Sequence, residues 1–240
     1  MTKTPIGPRD TAMRHCALLL LLLACPLWAG EPLRIAVAAS FRPVLEQVNA
    51  GFREETGREV VLSSASTGVL FSQIAHGAPF DIFFAADEES PARLFAAGRG
   101  AQPFCYAVGR LVLAGGELAR LQDPQQSLAI ANPATAPYGR AALEVLAREA
   151  FSSGGDRRLV RGSNVAQAYQ FWHSGAVDLA LVAAGLAPPG ATPVPAQWHR
   201  PLVQHAIVLE AGAAVDAYLK WLGSDRVRAL ITDAGYRPCP

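Results

Sequence analysis

The chain has 240 residues, of which 51% are hydrophobic and 17% are charged, which is enough for one domain or two small ones with a sizeable core. Its 21 Lys plus Arg residues face 20 Asp plus Glu residues, so the formal net charge is only +1. A charge this balanced provides no strong field for a nucleic-acid backbone or an anionic membrane surface, and we expect no nucleic-acid partner.

Residues 1–30 have the pattern of a secretory signal peptide. Three basic residues and one acidic residue precede the run ALLLLLL at 17–23, and the whole apolar stretch spans 13 residues, short of the roughly 20 that cross a bilayer. We expect cleavage after Ala29 or Gly30 and a periplasmic or secreted mature protein. The alternative is a lipoprotein signal in which Cys25 is lipidated.

The remaining chain alternates between apolar runs of strand length and stretches with helical spacing. The run LRIAVAA at 33–39 predicts a strand, and Ser40 opens a stretch in which Val44, Val48 and Phe52 recur at helical spacing. The same patterns predict strands at 59–63, 80–85, 106–113, 128–131, 178–183 and 203–209, and helices at 69–76, 91–97, 140–150, 165–173, 213–222 and 225–234. This alternation predicts an α/β fold with mainly parallel sheets flanked by helices.

Two weak breaks in composition, at 98–103 and 187–201, favour two lobes joined by crossing strands over two independent domains. We place the first part of lobe 1 at 31–105, lobe 2 at 106–203, and a return segment of lobe 1 at 204–240.

Small, hydroxyl or amide residues occupy four predicted junctions between a strand and a helix, at 39–40, 65–68, 137–139 and 163–165. The first turn of a helix exposes free backbone N–H groups and carries about +0.5 charge, so four converging helix starts would offer about +2 to a small dianion. The alternative is that these residues are ordinary helix caps, each worth about 1 kcal/mol to its own helix.

Several motifs, taken in order, resemble those of periplasmic molybdate-binding proteins, the solute receptors of molybdate ABC importers. They are AVAAS at 36–40, SSAST followed by Gly68, QIAHGAPFDIFFAADEE at 73–89, YAVGRLVL at 106–113, ANPATAPYGRAALEVL at 131–146 and SNVAQAYQFWHSGAVDLALV at 163–182. The resemblance implies a two-lobed, type II-like periplasmic binding protein fold with a hinge, and no enzymatic activity. It also implies molybdate or tungstate as the ligand, no cofactor, a monomer, and delivery to a membrane permease with a cytoplasmic ATPase.

The resemblance also implies the ligand-binding residues, with metal bound only as molybdate. They are Ser40, through its hydroxyl and N–H, the hydroxyl of Thr67, and the backbone N–H groups of Tyr138 and Val165. Some members of the family add a tyrosine hydroxyl where this chain has Ala183, which removes one donor.

Neutral donors favour a fully ionised tetrahedral anion over hydrogen phosphate, because no carboxylate is present to accept a proton from the ligand. A receptor for another oxyanion such as sulfate remains an alternative. From a different class, the alternative is a secreted hydrolase with Ser40 as the nucleophile, although Ser40 lacks a Gly-x-Ser-x-Gly elbow.

Other charged residues leave two readings open. Asp87, Glu88 and Glu89 form a run that suits either a metal or acid–base site or a helix start with a solvated face. Arg110 and Arg140 lie beside motif glycines and would either reach the anion or form salt bridges. The histidines show no zinc spacing, and neither lysine follows a glycine as a Walker loop requires.

Cys105 and Cys239 are the two thiols left if the signal peptide is removed. Two cysteines in an oxidising compartment either pair, tying the C-terminus to the body, or remain independent thiols. Removal of residues 1–30 also changes the net charge to −1, so a receptor for a dianion would have no net positive charge.

Overall fold

The computed structural model describes residues 1–2 and 31–240, and residues 31–240 form one compact unit. The predicted signal cleavage site and Cys25 lie outside the described residues. Within the described part of the chain, no helix is both long enough and apolar enough to span a bilayer.

The first of two five-stranded sheets has the strand order β2-β1-β3-β10-β4. Its strands are β1 (Leu33–Ala38), β2 (Val60–Ala65), β3 (Ile82–Phe84), β4 (Phe104–Gly109) and β10 (Leu202–Val208). β1 pairs in parallel with β2 and β3, whereas β10 pairs antiparallel with β3 and β4. Four strands therefore run in one direction and β10 runs against them.

The second sheet repeats this pattern with the order β7-β6-β8-β5-β9. Its strands are β5 (Leu111–Ala114), β6 (Leu128–Ala131), β7 (Leu159–Gly162), β8 (Leu179–Ala183) and β9 (Thr192–Pro193). β6 is parallel to β7 and β8, and β5 runs antiparallel to β8 and β9. The predicted α/β class with mainly parallel sheets is confirmed.

Seven α-helices cover these sheets in the described part of the chain. They are α1 (Arg42–Thr56), α2 (Thr67–Ala75), α3 (Glu89–Ala96), α4 (Pro137–Leu146), α5 (Val165–His173), α6 (Ala213–Leu222) and α7 (Asp225–Asp233). α2 and α4 begin two and three residues earlier than predicted, so Thr67 and Tyr138 lie inside the first turns of their helices. The end predicted for α4 is also wrong, because 3₁₀ turns occupy Glu149–Gly154.

Alternate residues of β1 face opposite sides of the first sheet, as strand geometry requires. Ile35 and Val37 belong to the core beneath α1, α6 and α7, while Ala36 packs with residues of α2 and α3. α1 presents Val44, Val48 and Phe52 to this core at the spacing of one helix face.

The chain passes between the sheets at two places. It leaves the first sheet after Gly109, at the end of β4, and returns at Leu202, the start of β10. The lobe boundaries at 105/106 and 203/204 remain predictions. After α7 the chain runs back along β4, where Cys105 and Cys239 form a disulfide with their Cα atoms 6.1 Å apart.

Ser127 and Asp178 clamp the starts of β6 and β8 together. The Asp178 carboxylate accepts hydrogen bonds from the Ser127 hydroxyl at 2.5 Å and from the Ser127 N–H at 2.8 Å, and the Asp178 N–H donates to the Ser127 hydroxyl at 3.0 Å. These bonds from Ser127 hold the pKa of the Asp178 carboxyl below its usual value.

We predict that Asp178→Asn lowers stability most at neutral pH. A carboxyl whose pKa is lower in the native state stabilises the fold above its unfolded-state pKa of about 3.9, and this contribution is lost as the pH falls through the native pKa. Urea unfolding midpoints between pH 7 and pH 3 should therefore converge for the wild type and Asp178→Asn, and Ser127→Ala should behave like Asp178→Asn. Parallel pH profiles for the wild type and Asp178→Asn would contradict this account.

Candidate functional site

Ser40, Ser66 and Thr67 lie together at the carboxyl edge of the first sheet. β1 and β2 pair with Ala38 beside Ala65, and the Ala39 N–H donates to the Ala65 carbonyl at 2.9 Å, so the segments that follow the two strands are neighbours. All three side chains are buried, with exposures of 1%, 4% and 1%. These hydroxyl residues are therefore shielded from solvent at the start of α1 and α2.

Tyr138 and Val165 lie at the matching edge of the second sheet. β6 and β7 pair with Ala131 beside Gly162, and each strand leads into the helix, α4 or α5, whose first turn contains one of the two residues. A Cβ on Gly139 would overlap the Ala131 carbonyl oxygen, so a glycine is needed for α4 to start this close to its strand. Both predicted donors are buried, at 1% and 4% exposure.

The two edges meet at the start of α2. The Gly68 N–H donates to the Thr135 carbonyl at 2.8 Å, and a Cβ on Gly68 would lie 3.1 Å from that oxygen. Ala38 and Ala86, from the first-sheet side, also pack into the hydrophobic cluster of the second sheet. The structure thus brings all four predicted site residues into one region between the sheets.

Four backbone N–H groups of this region lack a partner among the residues that the structure describes. Among residues 31–240, the N–H groups of Ser40, Thr67, Tyr138 and Val165 have no hydrogen-bond acceptor. A buried N–H without an acceptor is uncommon, because it costs about 1–3 kcal/mol of desolvation. Four such groups in one region make it the candidate binding site.

Two buried hydroxyl groups also lack a hydrogen-bond partner among the described residues. The Oγ atoms of Ser40 and Ser66 have no hydrogen-bond partner within the described chain. The Thr67 hydroxyl, in contrast, accepts a hydrogen bond from the Ala86 N–H at 3.0 Å, which leaves its own proton free to donate.

Ser66 is the candidate residue that the sequence analysis missed. It is the N-cap of α2, a position where serine normally accepts from the N–H groups of the first turn, yet its side chain makes no capping bond. The hydroxyl instead stays buried and unpaired. Sequence alone shows two adjacent hydroxyl residues, Ser66 and Thr67, and gives no reason to separate their roles.

Charged side chains near this region are engaged with the protein. Arg140 donates to Asp87 at 3.0 Å, which pairs α4 with the segment after β3, and Arg110 donates to the Gly235 carbonyl at 2.6 Å. Asp87 also accepts from the Ser90 N–H at 3.0 Å. Of the two alternatives for these arginines, bonds within the protein are the one that the structure supports. Asp87 forms an ion pair and accepts a hydrogen bond at the start of α3.

The described residues contain no group of three or more His, Cys, Asp or Glu side chains that could hold a metal ion. Behind the site lies instead a neutral network. Gln204, fully buried, donates to the Tyr138 hydroxyl at 3.1 Å, and its Oε1 lies 2.8 Å from the Tyr106 hydroxyl. Burial raises the pKa of both hydroxyls, so they remain neutral.

The model of the family described as bacterial extracellular solute-binding protein matches residues 33–237. The chain belongs to this family.

The chain also resembles curated proteins named molybdate-binding protein ModA. It is 35% identical over 235 residues to that of Azotobacter vinelandii, covering 90% of this chain and 93% of the relative. It is 34% identical over 230 residues to that of Rhodobacter capsulatus, covering 89% and 91%. The solved Azotobacter vinelandii periplasmic molybdate-binding protein superposes with a TM-score of 0.79 at 33% identity, covering 87% of this chain and all of that one. The predicted binding-protein fold is confirmed.

Proposed function

We propose that this protein is an extracytoplasmic receptor that binds molybdate, and also tungstate, between its two sheets. The observation that carries the proposal is the set of four buried N–H groups that lack an acceptor among residues 31–240. Its relatives named molybdate-binding proteins support the choice of metal. The receptor then closes on the ion and delivers it to the membrane permease of an ABC importer, without catalysing a reaction.

The donors favour a dianion that keeps no proton. The starts of α2, α4 and α5 each present partial positive charge, and none of the hydrogen bonds in the described chain brings a carboxylate to the unpaired N–H groups. A ligand that must retain a proton, such as hydrogen phosphate, would find no acceptor for it. Molybdate and tungstate are fully ionised tetrahedral oxyanions and fit this requirement.

Each site residue has a distinct role in the proposal. Ser40 donates through its hydroxyl and its N–H, and Thr67 donates through the hydroxyl proton that its bond with Ala86 leaves free. Tyr138 and Val165 donate through their N–H groups. The Ser66 hydroxyl supplies a further donor, which offsets the tyrosine hydroxyl that Ala183 cannot provide.

Calorimetric titration of the mature protein with molybdate, tungstate, sulfate and phosphate tests the proposal. We expect tight binding of molybdate and tungstate and weak or absent binding of phosphate. Tight binding of sulfate without molybdate would replace the proposed ligand with sulfate. Turnover of an ester substrate that Ser40→Ala abolishes would contradict the receptor function.

Ser66→Ala separates the ligand role from a role in folding. The hydroxyl makes no bond within the described chain, so its removal should leave the thermal midpoint unchanged or raise it, while the molybdate Kd rises by about 10-fold for one lost bond to a charged ligand. Ser224→Ala is the matched control, because Ser224 caps α7 through the Val227 N–H and its loss should lower stability without changing Kd. Unchanged affinity in Ser66→Ala would remove Ser66 from the site.

A further inference from the structure

We propose that the C-terminal segment 235–239 is a clip that positions Ser40 for the anion, with Tyr236 as the positioning residue. The proposal rests on the proposed function for the identity of the ligand. It assigns to the tail of the chain a part in ligand affinity, although the tail supplies no atom to the ligand itself.

The Tyr236 hydroxyl bonds directly to the loop that carries Ser40. It donates to the Ser40 carbonyl at 2.7 Å, across a sequence separation of 196 residues. On the other side of the turn, the Phe41 N–H donates to the Ala38 carbonyl at 2.9 Å. The turn is therefore held from both sides, and the carbonyl bond fixes the Ser40–Phe41 peptide plane, which adjoins the Cα that carries the Ser40 hydroxyl and N–H.

The Tyr236 ring is itself held in a defined place. It is buried at 4% exposure and lies edge-on to the Phe41 ring with centroids 5.3 Å apart. A Cβ on Gly185, which follows β8 of the second sheet, would lie 2.9 Å from this ring. Tyr236 thus touches the turn of the first sheet and the chain that leaves the second.

Backbone bonds and a disulfide attach the clip to β4. The Val108 N–H donates to the Arg237 carbonyl at 2.8 Å and the Arg237 N–H donates back at 2.9 Å. The Cys105–Cys239 disulfide closes the segment beyond this bridge. On the other side of Tyr236, Arg110 holds the Gly235 carbonyl at the point where the chain crosses between sheets. Tyr236 is consequently tethered on both sides.

The tether and the hydroxyl together make the position of Ser40 depend on the C-terminus. If the disulfide is absent, the backbone bonds of residues 235–237, the Arg110 contact and the packing of the Tyr236 ring remain, but the chain beyond Arg237 is no longer attached to β4. We expect the Tyr236 hydroxyl then to sample more positions away from the Ser40 carbonyl. The Ser40 donors then have to be ordered when the anion binds, and this ordering lowers affinity.

Tyr236→Phe, compared with Tyr218→Phe, tests the proposal in the full mature protein. Tyr218 is also a buried tyrosine, and its hydroxyl donates to Asn49 Oδ1 at 2.6 Å, in the body of α1 and outside the Ser40 turn. Both substitutions remove a buried, hydrogen-bonded hydroxyl and keep the ring, so both should lower the thermal midpoint. Only Tyr236→Phe should raise the molybdate Kd, by about 5- to 20-fold for one lost positioning bond.

Removal of the disulfide provides a second test of the clip. Cys105→Ser with Cys239→Ser should raise the molybdate Kd in the wild-type background and leave it unchanged in the Tyr236→Phe background, because the disulfide acts through the hydroxyl. If disulfide removal and Tyr236→Phe instead change the molybdate Kd independently and additively, the disulfide does not act through the Tyr236 hydroxyl. An unchanged Kd in Tyr236→Phe, or an equal rise in Tyr218→Phe, would overturn the positioning role.

Amide hydrogen exchange of the anion-free protein distinguishes failure of this inference from failure of the proposed function. Peptides that cover 38–45 should exchange faster in Tyr236→Phe than in the wild type or Tyr218→Phe, whichever anion the protein binds. If the wild type binds no molybdate, the proposed function fails. The exchange rates then still test whether segment 235–239 orders the Ser40 turn. Equal exchange in all three proteins would overturn the clip.

Discussion

Burial of unpaired backbone N–H groups between the two sheets is the constraint on which the rest of this structure depends. The parallel strands β1, β2, β6 and β7 end in the same region, and the segments or helices that follow them start with free donors. Such donors are costly to bury without a partner. The arrangement is stable as a binding site because an anion can accept from several of them at once, and two sheets with matching strand order are a simple way to bring them together.

Neutral groups support this site, and charges are kept in pairs at its margin. Gln204 and the hydroxyls of Tyr106 and Tyr138 form the layer behind it, and burial keeps both hydroxyls protonated. Arg140 is paired with Asp87 between α4 and the chain after β3. The N–H and O–H donors of the site are directional, so they select for the geometry of the anion. The near-zero net charge of the chain agrees with recognition by local dipoles.

Local patterns predicted much of the fold. The continuous apolar runs of β1 and β8 and the amphipathic spacing of α1 were sufficient to identify those elements. β7 was missed because it is an edge strand of four residues with only Gly162 fully buried, which gives no apolar run. The unpaired Ser66 hydroxyl depends on the backbone conformation at the N-cap, and the bond from Tyr236 to Ser40 joins residues 196 positions apart. Spacing in a sequence carries no information about either.

An anomalous diffraction map from crystals grown with molybdate tests the central claim most directly. We expect one metal peak between the first turns of α2, α4 and α5. The oxyanion should accept from the N–H groups of Ser40, Thr67, Tyr138 and Val165 at about 2.7–3.2 Å, with hydroxyls completing the shell and no guanidinium in contact. A peak elsewhere, or an anion held by arginine side chains, would contradict the account.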